Sequence, residues 1–455
     1  MVDFVKPVGM DGRIVKEMYV AAIRRYYRSH KVPIFFPIDR KEFGVGDFGR
    51  KISRRYLTFS TSGELRGFLL RETPPYISYS VADWEHPDSR DDRERGFLGA
   101  ELVFEFDDDE FVRYSPNDIS YCPNCKDVRT VGELTEQGLN PLYCVHCGDR
   151  REIIPLPSAS RWNRVVQETK RLIAVLVEDF GIPEKTIYLN YSGNRGIHTH
   201  VTDHRFTDSK RVFEGYRDKY RVMQEMHRIR QEFTNYLTLS DFDASNTDLR
   251  YEDGRVLGPT PSYGGMVGRV VDRIRQVLLS TNSPYVFHKY LSSDSERKEL
   301  ENLLRSIGNR NVARRIEMGL YDSGVGNRTL LNAWRNVFKG VAKDVAHPID
   351  AQTSSDIKRL IRLPNTIHGT TGLVAKTIRR GDLDKFDPYK DAVALPRTPK
   401  ITLWIRYLPE IRFDGRTYGP YTEEEVDIPL NLGFFLLGVF GYWAQTNGGG
   451  GQDVS

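Results

Sequence analysis

The chain has 455 residues, of which 39% are hydrophobic and 28% are charged, and this apolar content excludes a wholly disordered protein. At roughly 150 residues per domain, the length indicates about three domains or lobes. The 66 basic and 62 acidic side chains give a net charge of +4, which is compatible with a nucleic-acid partner but does not require one.

The sequence gives no sign of a membrane protein or a secreted one. Its longest apolar run, 432–444, is shorter than the roughly 20 residues that a span needs. The N-terminus lacks the charged-then-apolar pattern of a secretory signal. All four cysteines lie between positions 122 and 147, which favours a reducing compartment over a disulfide framework. We therefore expect a cytoplasmic, nucleoid-associated protein, or a nuclear one in a eukaryote.

In chain order, the first half of the sequence predicts a strand, a helix and a second strand. Residues 102–107 and 186–191 are rich in β-branched and aromatic side chains, as strands are. Between them, 161–180 carries apolar side chains at helical spacing. We assign 1–204 to the N-terminal part of a catalytic core.

The second half predicts a helical insertion followed by a return to strands. Helical patterns at 209–239 and 294–339 flank a glycine-rich, loop-like segment at 254–268, so 205–340 is predicted to be mostly helical. Strand and turn signals then run to 443, and 341–443 completes the core. The glycine-rich end, 444–455, is predicted to be a disordered tail.

The cysteines form two Cys-x-x-Cys pairs that are separated by 18 residues: Cys122 with Cys125, and Cys144 with Cys147. Each pair can offer two thiolates to one metal ion, and together the pairs complete the tetrahedral shell of a structural Zn²⁺. Because no coordination position stays open, this zinc would hold the fold together and would not catalyse. Two redox-active pairs or free thiols are the alternative interpretation.

A run of acids ends the first predicted strand. Glu105 and Asp107 are two residues apart and share one face of the strand, and Asp109 would join them if the strand continued. Carboxylates paired in this way can hold two divalent cations about 4 Å apart, as phosphoryl-transfer enzymes require. A solvated acidic turn is the alternative, since four acids follow one another at 107–110.

The turn after the second predicted strand reads Ser-Gly-Asn-Arg-Gly-Ile-His, from Ser192 to His198. Its two glycines allow the backbone to turn tightly and to approach a ligand closely. Ser192, Arg195 and His198 offer hydrogen-bond donors to an anion, and the arginine fork suits phosphate. A glycine turn with a surface arginine is the alternative.

Taken in order, these motifs resemble the catalytic small subunit of archaeal and eukaryotic DNA primases. That family carries a strand ending in acid-x-acid, a zinc knuckle, Ser-Gly-x-Arg-Gly-x-His, and much later an Asp followed by Leu-Pro-x-x-x-His-x-x-x-Gly. Here the last part is Asp350, followed by Arg362-Leu-Pro-Asn-Thr-Ile-His368. The segments 40–44 and 418–421 are similar to the archaeal branch, and the resemblance covers about 35–443.

The resemblance implies a primase-polymerase catalytic core of the α/β class (α+β, with a mixed sheet), carrying the zinc knuckle and the helical insertion. It implies that Glu105, Asp107 and Asp350 form a catalytic acid triad that binds two Mg²⁺ or Mn²⁺ ions. The first acid of the family is usually Asp, so Asp107 and Asp109 form an alternative register. The preceding Glu-Leu-Val-Phe favours Glu105 and Asp107.

The resemblance also implies the nucleotide-binding residues. Ser192, Arg195 and His198 match the segment that binds the triphosphate. Arg362 and His368 match further nucleotide contacts, and Arg55 matches a basic contact to the nucleotide or the primer end.

The implied function is the synthesis of short RNA or DNA primers from nucleoside triphosphates on single-stranded DNA, by two-metal-ion nucleotidyl transfer, for DNA replication. The implied partner is the large primase subunit, which carries an iron–sulfur domain in this family. Because the zinc site takes all four cysteines of this chain, none is left to bind an iron–sulfur cluster here. One alternative is a repair-type primase-polymerase, and another is an inactive nucleic-acid-binding scaffold subunit. An inactive relative would have no need to keep Asp107, Asp350, Arg195 and His198.

Overall fold

The structure, a computed structural model, describes residues 4–108, 114–349 and 354–445. The predicted acids Asp109 and Asp350 and most of the predicted tail lie outside the described residues. The chain divides into two compact units. Unit 1 comprises Met1–Arg171, Pro183–Arg228 and Gln352–Ser455, and unit 2 comprises Leu172–Ile182 and Ile229–Ala351. The predicted boundaries at 204, 340 and 443 stay predictions.

The strands are β1 Val5–Pro7, β2 Phe43–Asp47, β3 Arg50–Leu57, β4 Tyr76–Ser80, β5 Ala82–Trp84, β6 Phe97–Ala100, β7 Leu102–Asp107, β8 Ile119–Tyr121, β9 Val128–Thr130, β10 Glu152–Ile154, β11 Ile187–Tyr191, β12 Gly196–Val201, β13 Arg250–Glu252, β14 Arg255–Leu257, β15 Leu360–Arg362, β16 Thr377–Ile378, β17 Lys400–Leu408, β18 Ile411–Phe413, β19 Arg416–Tyr418 and β20 Tyr421–Pro429.

The helices are α1 Gly12–Ser29, α2 Ser62–Glu72, α3 Val131–Glu136, α4 Ala159–Glu178, α5 His204–Thr207, α6 Ser209–Val212, α7 Lys219–Thr238, α8 Gly265–Ser280, α9 Asp294–Ile307, α10 Asn309–Glu317, α11 Arg328–Val345, α12 Pro388–Asp391, α13 Leu430–Val439 and α14 Tyr442–Gln445. In the part of the chain that the structure describes, every helix is too short or too polar to cross a membrane.

Two four-stranded antiparallel sheets form the centre of unit 1. One has the order β15-β4-β2-β3 and the other the order β16-β11-β12-β7. In β7 the side chains alternate, because successive residues of a strand point to opposite faces. Phe104 and Phe106 are buried on one face, at 1% and 0% exposure, while Glu105 and Asp107 point to the other and stay partly exposed. The core packing of β7 therefore fixes the direction of its two acids.

Two smaller sheets complete unit 1. The sheet β10-β8-β9 carries the cysteine pairs, and the sheet β1-β17-β20 packs against α13. Together with the helices, these antiparallel sheets confirm the predicted mixed α/β class with a cysteine-knuckle motif.

Unit 2 is mostly helical. Helices α8, α9, α10 and α11 pack on one another around Trp334, which is fully buried and donates its indole N–H to the carbonyl of Tyr321 at 2.7 Å. The hairpin β13–β14 lies beside them and turns at Asp253-Gly254, where both residues have positive φ (49° and 75°). An Asp-Gly pair is a preferred two-residue turn of this kind.

Two sequence-based expectations were wrong in detail. The glycine-rich segment 254–268 is not a simple loop, because it contains β14 and the start of α8. The predicted run of strands to 443 ends at Pro429, and α13 follows. Since α13 is apolar on all sides and buried, it shows no helical periodicity in the sequence. Gly438 lets it pack directly on the backbone of Thr370, where a Cβ atom would lie 1.6 Å from the carbonyl oxygen.

Candidate active site

A cavity of about 480 Å³ in unit 1, here called the β7 cavity, collects most of the predicted site residues. Its wall is formed by β3, β7, β12 and β15, together with the turns that adjoin β12 and β15. Its acidic, basic and other polar lining residues are Glu105, Asp107, Asp356, Lys51, Arg55, Arg359, Arg362, Ser78, Ser192, Asn194, His198 and His368. The cavity thus brings two strand-borne carboxylates and a set of cations together.

Glu105 is held by two basic partners. It pairs directly with His198 across β7 and β12, and its Oε1 lies 3.2 Å from His198 Nε2. Arg359 Nη2 lies 3.5 Å from Oε2. Burial by itself would raise the pKa of Glu105, but the charge and hydrogen bond of His198, with the charges of Arg359 and Lys51, lower it to about 2. Glu105 is therefore an anion at neutral pH.

Asp107 lies two residues further along β7, directly opposite Gly196 of β12. A Cβ atom at position 196 would lie 2.1 Å from Asp107 Oδ1 and 2.3 Å from the carbonyl oxygen of Phe106. The carboxylate therefore occupies space that only a glycine leaves open, and this explains the second glycine of the Ser-Gly-Asn-Arg-Gly motif in physical terms.

The turn between β11 and β12 is closed by the hydroxyl of Ser192. Its Oγ accepts hydrogen bonds from the backbone N–H groups of Asn194 and Gly196, at 3.2 and 3.1 Å. No residue that the structure describes accepts the hydroxyl proton, so Ser192 can donate it to a ligand in the β7 cavity. At Gly193, φ is +84°, and a Cβ atom would lie 2.7 Å from the Cβ of His368. Each glycine thus allows a close approach, Gly196 to Asp107 and Gly193 to His368.

Arg362 and His368 bring the C-terminal part of the chain to the same cavity. Arg362 ends β15, is 8% exposed and lies with its guanidinium carbon 4.8 Å from the centre of the Tyr76 ring. Burial lowers its pKa to about 10, so it keeps its charge at neutral pH. Burial, together with the charge of Arg362, lowers the pKa of His368 well below its usual range. His368 is therefore neutral, and its Nδ1 lies 3.4 Å from the hydroxyl of Thr371, which donates to the carbonyl of Gly193.

Arg55 reaches the cavity from β3 and is anchored on a buried carboxylate. Its Nε lies 2.8 Å and its Nη2 3.2 Å from the two oxygens of Glu42, whose side chain is 0% exposed. Arg95, which is also buried, approaches the same carboxylate at 2.7 Å. Arg55 Nη2 also donates to the carbonyl oxygen of Lys358 at 3.3 Å. Glu42 thus holds one arginine at the cavity and a second one behind it.

Of the predicted catalytic and nucleotide-binding residues that the structure describes, Arg195 alone does not line the β7 cavity. It lines a neighbouring cavity of about 180 Å³ with Tyr389 and Thr370, and its Nε lies 3.7 Å from Asp108 Oδ1. Arg195 lies in the turn just before β12, so the alternation of that strand does not direct its side chain, which approaches Asp108 instead. Its predicted role in binding the triphosphate stays a prediction.

Sequence reasoning missed Lys51 and Asp356, which also line the β7 cavity. Lys51 stands four positions before Arg55 on β3, but irregularities in the pairing of β3 with β2 interrupt the alternation that would have linked the two residues. Asp356 lies in a turn, where its Oδ1 accepts the backbone N–H of Lys358 at 2.8 Å, and no periodic pattern marks it.

The four cysteines converge in unit 1, and their sulfur atoms all lie within 4.8 Å of one another. The closest sulfur pairs are Cys122 with Cys147, at 3.5 Å, and Cys125 with Cys144, at 3.4 Å. Four thiolates around one Zn²⁺ at 2.3 Å stand about 3.8 Å apart, so the cluster has the dimensions and the ligand type of a structural zinc site. The four cysteines could therefore bind one zinc ion.

The two cysteine pairs have the same backbone geometry. The N–H groups of Cys122 and Cys144 donate to the carbonyls of Asp127 and Asp149, at 2.9 and 2.8 Å. The residue after each second cysteine has positive φ, 65° at Lys126 and 76° at Gly148. Two equivalent turns thus present their sulfurs to one point.

A buried arginine joins the cysteine pairs to their sheet. Arg151 is buried and donates to Asp127 at 2.6 Å and to the hydroxyl of Ser120 on β8 at 2.7 Å.

Comparison with known proteins connects this site to a family. The sequence profile of the DNA primase small subunit family matches residues 158–380. The chain is 25% identical to the DNA primase small subunit of Methanothrix thermoacetophila, over 92% of this chain and 95% of that protein. It is 23% identical to the one from Methanococcoides burtonii, over 83% and 85% of the two chains. For the Methanosarcina mazei protein the identity is 24%, over 87% and 88%.

Proposed function

We propose that this chain, which belongs to the archaeal branch of the DNA primase small subunit family, is a primase catalytic subunit that synthesises short RNA or DNA primers on single-stranded DNA for replication. The observation that carries this proposal is the β7 cavity, in which Glu105 and Asp107 line the same space of about 480 Å³ as the cations Arg362 and Lys51. Acids that hold metal ions and cations that hold phosphate are what nucleotidyl transfer requires.

The basic side of the cavity would bind the triphosphate. Lys51, Arg359 and Arg362 supply positive charge, and the guanidinium fork of Arg362 matches two phosphate oxygens. The hydroxyl of Ser192 would add an uncharged donor, and the neutral ring of His368 would contact the nucleotide beside it. Because Arg362 and His368 are buried, they would bind without first losing much side-chain freedom.

The acidic side fits Mg²⁺ or Mn²⁺. Glu105 and Asp107 are carboxylates on one strand face, and these hard cations prefer oxygen ligands. Asp350, which lies outside the described residues, would complete the set by resemblance. Bound there, two such cations would neutralise the triphosphate and favour ionisation of the primer 3′-hydroxyl.

In the proposed reaction, the primer 3′-oxygen attacks the α-phosphorus of the bound nucleotide. A new P–O bond forms, the bond between the α-phosphorus and the bridging oxygen breaks, and pyrophosphate leaves with that electron pair. The hydroxyl proton passes to water, which reaches the partly exposed Glu105 and Asp107. The chain's own part is to align the two reacting groups and to match the charge that develops on the phosphate oxygens.

The proposed assembly is a heterodimer with the large primase subunit, as the family implies. In this assembly the four cysteines hold one structural Zn²⁺, and the template, the primer and the triphosphates are the substrates.

The test is primer synthesis on single-stranded DNA with labelled nucleotides and Mg²⁺ or Mn²⁺, with and without an annealed primer. Asp107→Asn should abolish product, and Asp382→Asn, an exposed acid away from the cavity, should not. If neither the wild-type chain nor its complex with the large subunit makes product on a primed template, the proposal is wrong. Extension of a primer without any unprimed synthesis, even in that complex, would support the repair-type alternative.

A further inference from the structure

A second cavity of about 480 Å³ adjoins the first along β3, and we name it the β3 groove. Its lining includes Arg50, Arg54, Arg55 and Arg90, with Tyr56 among them. No acidic side chain of the described residues lines it. Arg55 lines both this groove and the β7 cavity, so the two spaces are adjacent at that side chain.

The positive charge of the groove is largely uncompensated. Arg50 and Arg90 are exposed and form no ion pair with any residue that the structure describes. Arg54 pairs with Glu72 at 3.4 Å, but both side chains are about half exposed, and such surface pairs contribute little energy. The groove therefore keeps several guanidinium groups available to an anion.

The groove is also built on a rigid base. Tyr56 has φ of +63°, a conformation that costs a non-glycine residue energy and persists only where its surroundings fix it. Its backbone N–H donates to the buried carboxylate of Glu42 at 3.3 Å. The guanidinium carbons of Arg55, Arg90 and Arg95 lie 5.5–5.8 Å from its ring centre. The buried Glu42 thus sets the positions of both Arg55 and Tyr56.

The length of this surface favours a polymer over a single nucleotide. The β3 part of the lining runs from Arg50 to Leu57, whose partners on β2, Asp47 and Phe43, are four positions apart. At about 3.3 Å per residue it therefore extends about 13 Å along the strand, which is more than one phosphate group spans. Arginines that follow one edge strand with an aromatic ring among them are typical of surfaces that bind single-stranded nucleic acid.

We propose that the β3 groove binds the sugar–phosphate backbone of the single-stranded nucleic acid whose end or template base is presented to the β7 cavity. Arg50, Arg54 and Arg90 contact successive phosphates, and Arg55 stands where the strand passes from the groove to the cavity. The proposal rests on the proposed function for the identity of the strand, and it makes the groove a site separate from the nucleotide pocket.

The test is the binding of a fluorescently labelled oligo-dT to the full chain, measured by anisotropy over a series of salt concentrations without nucleotide. The Arg50→Ala/Arg90→Ala variant should bind about tenfold more weakly at low salt. Two lost phosphate contacts should make the slope of log K against log salt shallower by about 1.4. The matched control is Arg412→Ala/Arg416→Ala, which removes two exposed arginines from the β18–β19 hairpin.

Equal weakening in the groove variant and the control would overturn the proposal, as would an unchanged slope or a wild-type chain that fails to bind at low salt. Because the assay needs no catalysis, a failure of primer synthesis would leave its result intact. In an active preparation, the groove variant should raise KM for the primed template and leave KM for the nucleotide unchanged. The reverse pattern would assign these arginines to the triphosphate instead.

Discussion

His198 lies directly opposite Glu105 on the neighbouring strand, with 3.2 Å between its Nε2 and the Oε1 of the carboxylate. The two residues are 93 positions apart in the chain, and the pairing of β7 with β12 brings them together. A carboxylate that is already oriented by an imidazole and by Arg359 needs little rearrangement to meet a ligand. This pairing makes Glu105 a preformed part of the site, even though one methylene lengthens it relative to the usual Asp.

The first prediction concerns the charge and the length of Glu105. Glu105→Gln should lower kcat at least about a hundredfold, because it removes one carboxylate of the acid pair and several kcal/mol of charge stabilisation with it. Glu105→Asp should keep a larger part of the activity, since it keeps the charge. Steady-state kinetics of primer extension measure both variants. Equal activity of Glu105→Gln and wild type would remove Glu105 from the acid pair and favour the register of Asp107 with Asp109.

The second prediction tests the buried carboxylate behind Arg55. Glu42→Gln leaves Arg55 and Arg95 without their anion, and breaking a buried ion pair by removing one partner costs about 3–5 kcal/mol. The melting temperature should fall clearly. The matched control is Glu72→Gln, whose pair with Arg54 is exposed, and it should change stability by less than about 1 kcal/mol.

Scanning calorimetry of the three proteins side by side checks the Glu42 prediction. Similar losses in the Glu42→Gln and Glu72→Gln variants would mean that the Glu42 network does not stabilise unit 1. A stable Glu42→Gln variant with a raised KM for template would assign Glu42 to the positioning of Arg55 alone.

The sequence predicted local elements well because their patterns are local. The expected strand 102–107 is β7, and the expected helix 161–180 is α4, at Ala159–Glu178. Both carry their apolar side chains at the spacing of their own element. The convergence of the cysteine pairs was equally predictable, since their spacing indicates a common metal site and the four sulfurs do lie together. Helix α13 was missed because a segment that is buried on every side carries no periodicity.

The active site was only partly readable from the residues. The residues alone did not place Arg362 and His368 in one cavity with Glu105, and only the resemblance suggested it. Arg362 on β15 and Glu105 on β7 belong to different sheets, so no local pattern links them. Glu42 looks like an ordinary surface acid in the sequence, yet two arginines allow it to be fully buried. Arg195 shows the opposite limit, since its motif placed it with Ser192, whereas in the structure it lies in the turn before β12 and lines the neighbouring cavity.

The third prediction concerns the metal of the cysteine cluster. Because the chain has only four cysteines, every thiol that reacts reports on this site. The purified protein should contain one zinc per chain and react slowly with a thiol reagent. After treatment with a strong chelator, it should release the zinc and expose four reactive thiols.

Chelation should also loosen the sheet β10-β8-β9, which hydrogen exchange would show as lost protection at Ile119–Tyr121. Cys125→Ser provides the matched comparison, with weakened zinc retention. Zinc-free protein with fewer than four titratable thiols would support the redox-pair interpretation instead.

The last prediction follows a buried acid of unit 2. Asp322 has a side chain that is 0% exposed and is bound by Arg255 and Arg315 at 2.8 and 3.2 Å. Burial by itself would raise its pKa, but the hydrogen bonds from Arg255 and from the backbone of Val256 and Gly324 outweigh it and lower the pKa below the usual value. Because the pKa is lower in the folded chain, ionised Asp322 stabilises it above about pH 3.9, and this stabilisation is lost as the pH falls further.

Asp322→Asn should therefore lower the melting temperature of the transition of unit 2 at pH 7, and the gap to wild type should narrow as the pH falls below about 4. Asp272→Asn is the control, because its pair with Arg275 is 45% exposed on the acid side, and the substitution should have little effect at any pH. Calorimetry from pH 3 to pH 7 measures all three proteins. If the difference in melting temperature stays constant over this range, the charge of Asp322 does not stabilise the unit. The stabilisation would then come from the hydrogen bonds of the side chain alone.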